Sequence, residues 1–232
     1  PPNNLSNAHS GHPCIENLCK LFSIMRKCAL ERVPVWIKCN LIPMGDEMSF
    51  EEFQDVEKML MSYKGWTKWS KEFSQITDVL YVTDDTQINS KVEFINDMIV
   101  MEHFVKQVYD EFEMQLPEPY NLWKIFALAE TRKKISSEYL PSSVEPTTVQ
   151  ISQYKQFDKG PWRIKLCKNW SAKNNIDAEK LLLSGVKNAT SFEISIELIE
   201  PWKLMEERGC TDISMSAAVI ERVNYCLDSI QE

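Results

Sequence analysis

Asp78-Val79-Leu80-Tyr81-Val82-Thr83-Asp84-Asp85 is the stretch on which the fold turns. Val79 to Thr83 is short, rich in β-branched and aromatic residues, and apolar on both parities, as expected of a strand buried on two faces. Upstream, Trp66 to Ile76 reads as an amphipathic helix. Downstream, a polar helix-compatible segment runs from Asp85 to Asn96-Asp97 and meets a second apolar run, Met98-Ile99-Val100-Met101. Helix, strand, helix, strand is the repeat of a parallel sheet with right-handed crossovers. The expected fold class is therefore α/β, a helix-flanked, mainly parallel sheet followed by a smaller α+β part.

The flanking sequence divides accordingly. Residues 1–13 are polar and aperiodic, a flexible lead-in. In the α/β domain expected over 14–140, Ile15, Leu18, Phe22, Met25 and Ala29 recur at helical spacing, Pro34 stops that helix, and Val35-Trp36-Ile37 opens a strand. Ser49 and Glu52 form a capping box, so a helix starts there, with Phe53, Val56 and Leu60 on its inner face. Phe104, Val105, Val108 and Phe112, and then Trp123, Phe126, Ala127 and Glu130 after Pro119, pattern two more helices. Residues 141–148 read as a linker.

An α+β subdomain packed on the first is expected over 149–232. Val149–Tyr154 and Trp162–Leu166 alternate like antiparallel strands around Asp158-Lys159-Gly160-Pro161. Asp177 caps a helix to Val186, Phe192 to Leu198 alternates strictly, and Ser214 to Ile230 is a closing helix.

Composition narrows function. A hydrophobic share of 44% and a charged share of 26% suit a folded chain. The 6 glycines are dispersed, so no glycine-rich phosphate cradle is present. A net charge of -8 makes nucleic acid an admissible but not favoured partner. Seven cysteines without a CxxC pair read as free thiols in a reducing, intracellular compartment, nucleus or cytoplasm. No apolar run approaches the roughly 20 residues of a membrane span. The polar opening reads as part of a longer protein.

The strand ending in Thr83-Asp84-Asp85 resembles the corresponding segment of PIN-like nuclease domains, over Asp78 to Met101. The resemblance implies a Rossmann-like α/β fold with clustered carboxylates holding Mg²⁺ or Mn²⁺, and Asp84 and Asp85 as its catalytic pair. That site also needs an acid leaving the first strand, and here the strand leaves through Lys38-Cys39-Asn40. The expectation is therefore a degenerate, non-catalytic PIN-like domain with no cofactor.

Three further groups are candidates. His9, His12, Cys14 and Cys19 are zinc-ligand types at no standard spacing. Arg163, Lys165 and Lys168 beside Trp170 suggest a basic, aromatic surface for single-stranded nucleic acid. Trp66, Trp69 and Trp202 are candidate anchors for a protein partner. Together these give a non-catalytic scaffold, a pseudoenzyme binding another protein chain in a multiprotein complex. The rival is a metal-dependent nuclease or an RNA-binding segment of a nucleic-acid-processing protein.

Overall fold

The computed structural model describes residues 11–45, 47–83, 86–95, 98–139, 145–206 and 209–230. Along the chain run α1 (Ile15–Leu30), β1 (Trp36–Pro43), α2 (Phe50–Ser62), β2 (Lys68–Trp69), β3 (Ser74–Thr83), β4 (Thr86–Ile95), β5 (Met98–Gln115) and β6 (Trp123–Lys134). Then come β7 (Thr148–Lys159), β8 (Trp162–Ala172), α3 (Asn175–Leu183), β9 (Ser191–Leu198), α4 (Pro201–Glu206) and α5 (Asp212–Asp228).

The strands form one sheet in the order β2-β7-β3-β4-β5-β6-β1-β9-β8, and β8 pairs back onto β7. Every pairing is antiparallel. The result is a closed eight-stranded barrel, with the two-residue β2 extending the β3 edge of β7. Closure removes the unpaired sheet edges that an open sheet of this size would expose.

Alternation along the strands sorts the side chains. Ile37, Cys39 and Leu41 of β1, Ile125, Ala127 and Ala129 of β6, Ile164 and Leu166 of β8, and Ile194 and Ile196 of β9 are buried on the outer face. There they pack against Leu18, Phe22 and Met25 of α1, Phe53 and Leu60 of α2, and Val219, Ile220 and Val223 of α5. The hydrophobic core therefore lies between barrel and helices, and the other parity of each strand faces the barrel axis. Ser49 caps α2 in a complete capping box, as its sequence requires. Arg26 of α1 donates to the Asp212 carboxylate (2.6 Å) and the Cys210 carbonyl (2.7 Å) at the start of α5.

This barrel corrects the expected α/β fold. Val79–Thr83 does not enter a parallel sheet: β3 pairs antiparallel with β4, Val79 facing Ser90 and Thr83 facing Thr86. The segment expected as a helix has period two, with Ile88, Ser90 and Val92 on one face and Gln87, Asn89, Lys91 and Glu93 on the other. Trp66–Ile76 supplies β2 and the start of β3 rather than a helix.

The two helices expected over 104–130 are β5 and β6. A bulge between Val108 and Asp110 in β5 changes the parity of the strand, so that Phe104, Val108 and Phe112 acquire helix-like spacing while belonging to two different faces. Strands from both sides of residues 141–148 share the barrel, since β1 pairs with β9 and β3 with β7. Residues 1–10 of the expected lead-in and 140–144 around the expected linker lie outside the described residues.

Candidate functional site in the barrel lumen

The inner face of the barrel is polar. On one side β8, β9 and β1 set three inner rows in register: Arg163 opposite Glu197, Lys165 opposite Ser195, Cys167 opposite Glu193, then Glu197 opposite Lys38 and Ser195 opposite Asn40. Across the axis, Asp78 of β3 faces Lys91 of β4, and Lys106 of β5 faces Arg132 of β6. The lumen is thus lined by cations and carboxylates supplied by every strand of the barrel.

Some of these charges are locked together. Arg163 grips Asp158 with two parallel hydrogen bonds of 2.7 and 2.9 Å, the bidentate geometry that favours arginine. Arg132 is paired with Glu130 (3.0 Å) and Lys91 with Glu93 (3.4 Å). Tyr154 donates its phenol proton to Glu93, and the Lys165 ammonium lies 4.8 Å from the centre of the Tyr154 ring. Burial and the Glu93 carboxylate both push the Tyr154 phenol well above its ordinary pKa.

Other charges have no such clamp. Among the described residues Lys38, Lys106 and Lys165 make no ion pair within 4.0 Å. Burial lowers the Lys38 pKa, but Glu193 and Glu197, with Cys167 and Glu130, outweigh it and hold it above the usual lysine value. Lys106 is pulled below that value by burial, with Arg132 and Lys38 acting in the same direction against Glu130 and Asp78. Burial also opposes ionisation of Glu197, yet Lys165, Lys38 and Arg163, with the Ser195 hydroxyl, keep its carboxyl below the usual range. The Asn40 side-chain oxygen is buried beside these groups without a donor.

One mouth of the lumen opens into a cavity of ≈ 480 Å³ lined by Lys91, Glu93, Tyr154, Arg163 and Lys165, with Lys68 to Ser70 at its rim. Further along β7 and β8 the inward-facing residues are neutral. Asn169 accepts from Ser152 (2.7 Å) and Gln150 (3.4 Å) and donates to Ser191 (3.1 Å).

Solved structures share this fold. The chain has the fold of RNA triphosphatases. It is similar to the S. pombe Pct1 RNA triphosphatase in complex with the Spt5 CTD, with a TM-score of 0.62, 11% identity, and 92% of each chain covered. It is also similar to the Mimivirus capping enzyme triphosphatase, with a TM-score of 0.59 and 12% identity over 94% of this chain and 98% of that one. The sequence matches no family model and no curated protein.

The likeness replaces three expectations. The PIN-like resemblance fails because the fold is a β-barrel. The scaffold or pseudoenzyme reading and its nuclease rival rested on that α/β fold and give way with it to a fold shared with RNA triphosphatases. Asp84 and Asp85 lie outside the described residues, but the strands on either side of them are an antiparallel hairpin, not the carboxyl end of a parallel strand.

The remaining candidates are distributed across the barrel and its surroundings. Arg163 and Lys165 face the lumen, whereas Lys168 and Trp170 belong to the opposite parity. Lys168 sits 3.8 Å from the centre of the Phe73 ring, and Trp170 is buried and donates to the Gly185 carbonyl (3.3 Å). Trp66 and Trp69 are half-buried against Phe157 on the outside of the barrel. Trp202 lies in α4. Cys14 is buried under α1 and Cys19 meets the Ser216 hydroxyl at 3.4 Å, while His9 lies outside the described residues.

Sequence reasoning missed Lys38, Lys106, Glu193 and Glu197 as a set. The only local signal was polar residues alternating with apolar ones, as in Glu193-Ile194-Ser195-Ile196-Glu197.

A resident divalent cation does not fit this lining. Mg²⁺ and Ca²⁺ take six or more oxygens, Ca²⁺ commonly from several carboxylates and Mg²⁺ from one or two together with waters and substrate phosphates. Among the described residues no three His, Cys, Asp or Glu side chains come together to hold a metal. Beside the β9 carboxylates, β1 contributes an ammonium and an amide. No described helix is long and apolar enough to cross a membrane.

Proposed function

We propose that the barrel is a phosphohydrolase that admits the 5′-triphosphate end of an RNA and removes its terminal phosphate. The supporting observation is the set of cations lining the lumen, Lys38, Lys91, Lys106, Arg132, Arg163 and Lys165, in a fold shared with RNA triphosphatases. A triphosphate is a compact polyanion, and a lumen with low-dielectric walls strengthens its attraction to these side chains.

In the reaction, water attacks the γ-phosphorus and the bond from that phosphorus to the β–γ bridging oxygen breaks. Orthophosphate and a diphosphate-ended RNA leave. Catalysis of this kind is chiefly positioning and charge stabilisation. Lys106 and Lys165, free of ion pairs, meet the charge that grows on the phosphoryl and bridging oxygens. Glu197, kept ionised, orients the attacking water.

The test is release of ³²P-orthophosphate from RNA labelled at the γ-phosphate, with the full chain and with a Lys106→Ala/Lys165→Ala double variant. Release by the parent chain, lowered at least tenfold in the variant, is expected. No release and no protection of the labelled end would end this reading.

A further inference from the structure

We infer that the Lys38 ammonium takes the place of a metal ion in the lumen, a built-in cation that lets the barrel engage a phosphate chain without a divalent metal. The inference rests on the triphosphate reading above and deepens it.

Phosphoryl-transfer sites ordinarily neutralise their substrate with Mg²⁺ held by carboxylates. The carboxylates are here: Glu193 and Glu197 on β9, and Glu130 on β6, two strands away across β1. Between them, on β1, stands Lys38, in direct register with Glu197. It forms no ion pair shorter than 4.0 Å among the described residues, and Glu193, Glu197 and Glu130 all act on its charge.

Those same carboxylates hold Lys38 protonated against its burial. A divalent cation entering their midst would meet that positive charge, and removal of the charge would leave Glu193 and Glu197 with less cationic charge around them, Lys165 and Arg163 remaining beside Glu197 and Arg132 on Glu130. The next inner residue on β1, Asn40, is neutral, and its buried oxygen lacks a donor. That open acceptor suits a water or a hydroxyl of the incoming ligand. The lysine is therefore the one β1 group able to supply the charge for which the β9 carboxylates are arranged.

The experiment measures metal and polyphosphate separately on the full chain. Inorganic tripolyphosphate is titrated calorimetrically in EDTA and again in Mn²⁺. Binding in EDTA within about threefold of that in Mn²⁺ is expected, falling at least tenfold in Lys38→Gln. Binding that appears only with Mn²⁺ overturns the inference.

In parallel, Mn²⁺ uptake is followed by electron paramagnetic resonance and by melting temperature. The parent chain should take up no Mn²⁺ and show no shift, whereas Lys38→Glu should gain one Mn²⁺ and be stabilised by it, an effect cancelled by Glu197→Gln. Uptake of Mn²⁺ by the parent chain, abolished by Glu197→Gln, overturns the inference. If Lys38→Glu does not fold, Lys38→Gln is read in the same way. Should tripolyphosphate bind under neither condition, the triphosphate reading fails on that arm, while the Mn²⁺ arm still decides whether Lys38 excludes a metal.

Discussion

Phe157→Ala tests whether the tunnel mouth is held from outside. Phe157 is fully buried on the outer face of β7, between the inward-facing Gln156 and Asp158. Its ring lies 5.6 Å from Trp66 and 6.2 Å from Trp69, stacked on the latter at 13°. Truncating a buried Phe to Ala costs about 3–5 kcal/mol, and each aromatic pair accounts for about 0.5–1.5 kcal/mol beyond area burial. Trp66 and Trp69 are only half-buried and can close part of the gap, which sets the expected loss near 4 kcal/mol rather than at the top of the range.

Urea unfolding followed by circular dichroism measures that loss. With a slope of about 2 kcal/mol per molar urea, the midpoint should fall by roughly 2 M. In a double-mutant cycle, Trp69→Ala and Phe157→Ala should couple by about 1 kcal/mol. A loss below about 1.5 kcal/mol, or additive single effects, would refute the claim that β7 is anchored through these rings.

Ser49→Ala removes one half of the α2 capping box and should lower stability by about 1 kcal/mol in the same urea assay. Tyr154→Phe deprives Glu93 of a donor, which should cost about 1.5–3 kcal/mol, and lower phosphate release if the cavity wall matters to the reaction. Burial pushes the Cys39 and Cys226 thiols up to about 12 from an ordinary value of 9.0. Their contribution to stability is complete below about pH 9 and lost as pH rises toward 12, so a melting-temperature series should decline across that window and a Cys39→Ser/Cys226→Ser variant should decline less. Binding of triphosphate-ended RNA should weaken steadily with KCl, because lumen and rim cations release counter-ions from the phosphates; a flat salt profile would exclude an electrostatic site.

The helices were the legible part of this fold. Their apolar stripes and the Ser49–Glu52 box depend only on neighbours within a few residues, and α1, α2 and α5 lie where those signals put them. The hairpin β7–β8 was legible for the same reason, its strands alternating around Gly160, which adopts a positive φ of 59°. The errors fell on β3 to β6. There the outer face is only partly covered, with Ile99 and Met101 more than half exposed, so apolar residues do not mark a single buried face. In β6, Phe126 and Leu128 point inward while Trp123, Ile125 and Ala127 point outward, and the strand reads as apolar on both parities. Such a run has no period with which to choose strand over helix.

The site was illegible for a different physical reason. A tunnel collects one or two side chains from each strand, so its charged groups are never adjacent in sequence, and each looks like the solvated half of an alternating strand. Arg163 and Lys165 illustrate the ambiguity. Alternation was the correct observation, but whether the polar parity faces water or a barrel axis is set by closure, through the β7–β8 pairing that turns an open sheet into a tube. Before closure, Lys38 is a lysine on an ordinary strand. After it, the same residue is enclosed by Glu130, Glu193 and Glu197, which come from positions 92, 155 and 159 residues further along the chain. Local sequence could therefore report the residue types of the lumen but not that they meet.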